Sequence, residues 1–362
     1  MTEPSERRQE FARNYFRELD GIRAISILAV LIWHATERFA WLHGHHGVTF
    51  FFVLSGFLIT TLLLREEAAR GRVNLKAFWV RRIFRIFPLY YCALALYVVL
   101  VLGVGIQQDR AAAFRMALPY YIFYFQEYPA VLHCCPPFDL SWSLGIEEKF
   151  YLVWPAAAFA SVLAARVRLG ALFATATLIS LLPLSWVWPA IVYPYLPIIM
   201  GCMMAILLNE PRSFAVLSRL GVLAGPLLVV AVASFTLGSS LGAVLVIDVC
   251  CTLALAALVC APRSSSVARI MGSAPAVYIG QRSYGIYLFH QIVLNAAKMV
   301  MPADTGAWPA LGLIAAGACG SLVVAAIARA LIERPLIEAG RRIASRVTAR
   351  GRMPGLPTTA SN

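Results

Sequence analysis

Charge is what this chain has least of. Asp, Glu, Lys and Arg make up 14% of 362 residues, and only 18 of these are acidic against 31 basic. Soluble domains carry about a quarter charged residues, so a water-exposed globule of this length is excluded. Low-complexity blocks and internal repeats are also missing, and nothing in the chain reads as an appended soluble domain. Cysteines are few, and no second Cys/His pair stands at zinc-ligand spacing from His133, Cys134 and Cys135, so no metal is expected. What is abundant is apolar: hydrophobic residues are 60% of the chain and mean hydropathy is +0.74.

This composition predicts an all-α, polytopic integral membrane protein. Segments of about 20 residues, enough to cross about 30 Å of hydrocarbon, fall at 20–39, 47–64, 84–104, 149–166, 169–186, 190–208, 220–238, 240–261, 278–299 and 308–331. About ten transmembrane helices are therefore expected. With the first terminus inside, one set of connections collects the basic residues: Arg7 to Arg17, Arg65 to Arg85, Arg166 and Arg168, Arg212 and Arg219, Arg263 and Arg269, and the tail from Arg334 to Arg352. The other set is nearly bare apart from Arg110 and Arg115. The positive-inside rule then puts both termini in the cytoplasm. The formal charge of +13 marks that face rather than a nucleic-acid site, and no nucleic acid is expected as a partner.

The organisation expected is a basic leader over 1–19, a membrane domain over 20–335 and a basic tail over 336–362, disordered or lying on anionic lipid. The first apolar run follows a charged leader and carries Asp20, Arg23 and His34, so it is expected to stay in the protein and not to be cleaved. Segment 106–148 is the long outer connection, and its ALPYYIFYFQEY reads as an interfacial or re-entrant helix with tyrosines at headgroup level. Cys92, Cys202, Cys250, Cys251, Cys260 and Cys319 read as small buried hydrophobes. Cys134 and Cys135 fall on the outer side, where a disulfide pin and two free thiols are both open readings.

Within DGIRAISILAVLIWHA, Arg23 and His34 are eleven residues apart. At about 100° per residue they share one helix face, about 16 Å apart along the axis, and Asp20 extends the stripe. Ionisable residues inside a membrane helix are costly and point to function.

These residues, with GVTFFFVLSGFLIT at 47–60, FWVRRIFRIFPLYY at 78–91, SWSLGIEEKFYLVWP at 141–155 and RSYGIYLFH at 282–290, resemble the membrane-bound acyltransferase family 3, over about residues 17–335 and in the expected order. The resemblance implies an O-acyltransferase in the bacterial cytoplasmic membrane. Its donor would be cytoplasmic acyl-CoA, most often acetyl-CoA. Its acceptor would be a hydroxyl of a glycan, macrolide or lipid-linked molecule, in many members at the opposite face. Two departures stand out: Thr49 where many members have an acid, and Lys149 where Gln is frequent.

Each motif has a chemical and a plainer reading. His34, as a neutral imidazole, can take a hydroxyl proton or carry the acyl group itself, or it can simply bond a neighbouring helix. Arg82 and Arg85 share a face at the inner end of the third span, with Arg81 beside them, suited either to the phosphates of acyl-CoA or to lipid headgroups. Glu147 is expected near His34, orienting its imidazole; alternatively Glu147 or Glu148 caps the fourth span with Ser143. Ser55 beside Gly56 reads as close helix packing or as a site-lining hydroxyl. Tyr284, Tyr287 and His290 form a stripe at spacings of three, lining a tunnel or packed in the core. A secondary transporter or flippase is the competing class, but 1–180 and 181–340 show no matching pair of broken helices.

Overall fold

A computed structural model describes residues 15–132, 136–181, 191–301 and 306–350. Among these residues helices form and strands do not. Helix α1 is Arg17–Ala35, α2 Gly47–Arg70, α3 Leu75–Val98 and α4 Ala111–Ile122. A short α5 (Glu127–Leu132) precedes α6 (Trp142–Phe159), α7 (Ala165–Ser180) and α8 (Tyr195–Asn209). Then come α9 (Pro211–Leu217), α10 (Ala224–Ser234), α11 (Leu241–Val259), α12 (Ser266–Met271), α13 (Ala274–Gly280), α14 (Ser283–Val300), α15 (Ala307–Ala328) and α16 (Arg334–Arg350).

Five helical stretches among the described residues are long and apolar enough to cross a bilayer: Gly44–Arg70, Leu75–Gly103, Pro211–Leu237, Leu241–Val259 and Ala307–Ala349. They match the expected spans 47–64, 84–104, 220–238, 240–261 and 308–331. The described residues are thus those of a membrane-embedded, helical protein; among them the expected spans 20–39, 149–166 and 278–299 do not meet the same measure, and 169–186 and 190–208 run into residues 182–190, which lie outside the described ones. Helix α1 opens with Arg17, Glu18, Asp20 and Arg23 and stops at Ala35 instead of reaching 39. Helix α6 starts at Trp142, well before 149, and so carries Glu147, Glu148 and Lys149 inside its length. Helices α7 and α8 have 16 and 15 residues. The span expected from 278 is divided, with α13 ending at Gly280 before α14 begins.

The structure also bears on three further expectations. Within segment 106–148 the run ALPYYIFYFQEY is divided between α4 and the start of α5, and its aromatics point both ways: Tyr121, like Phe114 before the run, is fully buried, whereas Phe123 and Phe125 are exposed. Tyr124 stacks on Phe87 with ring centroids 4.7 Å apart, and Phe138 lies 4.5 Å from Tyr97. The tail is ordered as α16 up to Arg350, reached from α15 through a π-helical turn at Arg329–Glu333. It lies along α3, where Gly340 faces Phe84 and Asn74 Nδ2 reaches Thr348 Oγ1 at 3.5 Å. Among the cysteines, Cys202, Cys251 and Cys260 are buried, whereas Cys92 and Cys319 are exposed. His133, Cys134 and Cys135, and with them the disulfide expectation, lie outside the described residues, as do 1–14 and 351–362.

Small residues set the closest crossing. A Cβ on Gly56 of α2 would strike the carbonyl oxygen of Ile198 in α8, and one on Gly201 of α8 would strike that of Val53. The backbones therefore touch, as small residues allow in membrane helices. Gly71, at φ 70°, ends α2 in the left-handed turn that glycine adopts without penalty, its N–H donating to Glu67 O at 2.7 Å. Asn74 then accepts from the Ala77 N–H at 3.0 Å and starts α3. Glu66 braces this turn by accepting from the Asn74 N–H at 3.2 Å and pairing Arg81 at 3.6 Å. Arg168, read from sequence as an inside-face marker, is buried and makes a bidentate pair with Glu67 at 2.7 and 2.8 Å, tying α7 to α2.

Candidate active site

A cavity of about 580 Å³ runs beside α2, lined by residues from Val48 to Arg65. Seventeen residues of helix make it roughly 25 Å long. Helices α1, α3, α6 and α14 and the α15–α16 junction complete its wall.

One end is rich in guanidinium groups: Arg23, Arg65, Arg82, Arg85, Arg329 and Arg341. Arg82 and Arg85 share it because three residues return to one helical face. Arg82 lies over the rings of Tyr151 and Phe78, 5.0 and 5.7 Å from their centroids. Since α3 begins at Leu75, these arginines sit two turns and more inside the helix rather than at its mouth. Arg81 is not among the lining residues; it is held on the α2–α3 turn by Glu66. Arg65, Arg329 and Arg341 were not singled out from sequence. Arg65 and Arg341 fell among basic residues read only as topology markers, and Arg329 ends an apolar helix.

The middle of the cavity is a carboxylate knot. Glu147 Oε1 accepts from Ser55 Oγ at 3.0 Å and Oε2 from Tyr151 OH at 2.9 Å, while the two hydroxyls are 2.8 Å apart. The Ser55–Gly56 pair thus divides its work, with Gly56 giving helix contact and Ser55 facing the cavity. Glu148 lines the same wall. The capping reading of Ser143 and the glutamates does not hold: Ser141 precedes the helix, makes no side-chain cap and donates to Phe138 O at 2.8 Å. Ser143 bonds Tyr287 OH at 2.8 Å, and Tyr284 OH donates to Ile86 O at 2.9 Å. Asp20, 2% exposed, pairs Arg23 at 2.6 Å and accepts from Tyr15 OH. Lys149 pairs the buried Glu127 at 2.6 Å and donates to Tyr124 O at 2.6 Å, so it fastens α6 to the segment before α5.

His34 lies beyond this knot. Its expected neighbour Glu147 is engaged with Ser55 and Tyr151, and the imidazole meets His290 instead, with ring centroids 5.0 Å apart. Nδ1 of His34 is 2.9 Å from Val30 O, and Nδ1 of His290 is 2.7 Å from Tyr287 O. A carbonyl only accepts, so each Nδ1 carries the hydrogen. His290 Nε2, 3.3 Å from His34 Nδ1, then serves as a second acceptor for that hydrogen. The result leaves Nε2 of His34 with a free lone pair. The tyrosine stripe connects this pair to the cavity, because Tyr287 lines the cavity and its ring lies 5.9 Å from that of His290.

The fold and this site define a membrane-embedded helical protein whose cavity carries arginines at one end and, through Tyr287 in its wall, adjoins a pair of histidines. The chain belongs to the acyltransferase family: the family model described as an acyltransferase domain matches residues 16–330. It is 29% identical to the peptidoglycan O-acetyltransferase OatA of Listeria monocytogenes over 371 residues, covering 92% of this chain and 58% of that protein. It is likewise 29% identical to the putative peptidoglycan O-acetyltransferase YrhL of Bacillus subtilis, over 92% of this chain and 56% of the relative. A putative O-acetyltransferase of Staphylococcus aureus, SACOL0978, is 30% identical over 78% of this chain and 51% of its own length. The chain therefore spans little more than half of these relatives. No solved structure matches it.

Proposed function

We propose that the protein is an O-acyltransferase that takes an acetyl group from cytoplasmic acetyl-CoA and places it on a hydroxyl of a cell-envelope glycan at the outer face of the bacterial cytoplasmic membrane. Both termini are cytoplasmic in this reading, and the shorter helices complete about ten spans. The observation that carries it is the cavity along α2, with arginines at one end and the Ser143–Tyr287–His290 connection to His34 beside it.

The CoA phosphates bind at Arg82 and Arg85, whose planar forks suit bidentate contacts. The thin pantetheine arm extends along α2 past Glu147 toward His34. There Nε2 of His34 takes the proton of the acceptor hydroxyl while its oxygen attacks the thioester carbonyl. The carbon–sulfur bond breaks, and the leaving thiolate is neutralised by the proton that His34 then returns. Holding Nδ1–H on Val30 O and His290 fixes the tautomer that this step needs. The relatives named for peptidoglycan support a glycan as acceptor.

The test is transfer of radiolabelled acetyl from acetyl-CoA to isolated envelope glycans by the purified protein in lipid nanodiscs. Label on the glycan, absent with His34→Ala, is the expected result. Intact acetyl-CoA and glycan bound but unmodified would point to a carrier.

A further inference from the structure

A second cavity, of about 280 Å³, sits at the N-terminal end of α2. Its wall includes His45 and His46 from the turn before α2, Thr49 of α2, Trp142 at the start of α6, Tyr193 and Asp248 of α11. Val48 lines both this cavity and the long one, so the two meet across one side chain. The second cavity also adjoins the turn of α1 that carries His34: the ring of Trp33, its chain neighbour, lies 4.6 Å from that of His45.

Asp248 carries the argument. It stands two turns inside LGAVLVIDVCCTLALAALV, is 1% exposed, and neither carboxyl oxygen has a hydrogen-bond partner among the described residues. A buried carboxyl without a partner is costly, and inside a membrane helix it is retained for a reason. More unfilled acceptor capacity surrounds it. His46 Nε2–H donates to Gly238 O at 3.0 Å, which leaves its Nδ1 as an acceptor. His45 Nδ1 is buried and unpartnered, while its Nε2 is 3.3 Å from Ser239 Oγ.

Among the described residues no three His, Cys, Asp or Glu side chains gather closely enough to hold a metal ion. No Lys or Arg lines the cavity, unlike the arginine-rich end of the long one, so phosphate chemistry does not fit. What fits is a compact ring that offers O–H or N–H donors on its edge and C–H groups on its face. The size agrees, since about 300 Å³ is the small end of ligand pockets.

We propose that this cavity is the acceptor subsite and binds one pyranose unit of a glycan. Asp248 and His46 accept hydrogen bonds from the ring's hydroxyl or acetamido groups, and Trp142, held edge-on to Phe52 with centroids 5.9 Å apart, packs against its C–H face. This assignment rests on the transferase reading above, and direct binding separates the two. The probes are chitotriose, cellotriose and maltotriose, each titrated against the full chain in nanodiscs and followed by saturation-transfer difference NMR. Wild type should bind at least one saturably. Asp248→Leu, which removes the unpaired carboxyl without an apolar void, should bind at least about tenfold more weakly, as expected when a buried sugar donor is left unsatisfied. Asp248→Asn should fall between the two, and acetyl-CoA affinity should be unchanged in both. Failure of all three sugars to bind wild type, or wild-type affinity in both variants, would overturn the subsite. Sugar binding that follows this pattern without any acetyl transfer would count against the transferase reading and leave the subsite standing.

Discussion

Nε2 of His290 stands 3.3 Å from Nδ1 of His34, and both rings have their Nδ1 hydrogens directed at carbonyls of their own helices. His290 therefore acts through His34 as a positioning residue. His290→Leu should lower kcat for acetyl transfer by about tenfold, the scale of one lost hydrogen bond, with KM for acetyl-CoA unchanged. His290→Gln, whose Oε1 can accept from His34 Nδ1–H, should recover part of that loss. Equal kcat in the Leu and Gln variants would assign His290 to packing alone.

Arg82 and Arg85 line the long cavity while Arg81 is engaged by Glu66. Arg82→Ala with Arg85→Ala should raise KM for acetyl-CoA by about 100-fold or more, given about 1.5–3 kcal/mol for each charged hydrogen bond. Arg81→Ala should leave it within about threefold. A large effect of Arg81→Ala would place the donor phosphates on the outside of α3.

Ser55 and Tyr151 both donate to Glu147. Ser55→Ala should cost about 1 kcal/mol of stability and a modest part of kcat, whereas Glu147→Leu, which takes the acceptor from both hydroxyls in the wall the pantetheine arm passes, should lower kcat further while acetyl-CoA still binds. Calorimetry with acetyl-CoA on the inactive variant checks this; loss of donor binding as well would make Glu147 a structural residue.

At the α2–α8 crossing, a side chain on Gly56 meets the Ile198 carbonyl. Gly56→Leu should separate the helices, lower the thermal midpoint by several degrees and remove activity. Gly170→Ala, where nothing stands within 4 Å of an added Cβ, should change neither.

The helical membrane class, the Arg82–Arg85 face and the Tyr284–Tyr287–His290 stripe were legible in sequence because each follows from helical period and hydropathy. What failed were statements that needed helix ends or tertiary partners. Placing α6 at 149 instead of Trp142 put Glu147 at a helix tip near His34; with the true start it sits more than a turn inside and faces Ser55. The hydropathy minimum over Arg81, Arg82 and Arg85 hid the start of α3 at Leu75. Asp248 carried a readable signal, an acid within a strongly apolar run, that was passed over. It lies in the same cavity as Thr49, which the family resemblance marks as a departure. The burial of Tyr121 and Phe114 had no local signal, since an aromatic run at a membrane surface and one in a core read alike.

In the proposed mechanism donor and acceptor approach from opposite faces and meet through the cavity beside α2. The direct measurement uses sealed inside-out vesicles, with radiolabelled acetyl-CoA added outside and an envelope glycan enclosed in the lumen. Label is expected on the lumenal glycan, none when His34 is replaced by Ala, and little when Arg82 and Arg85 are both Ala. Labelled glycan formed only when acceptor and acetyl-CoA share the external face would contradict that mechanism.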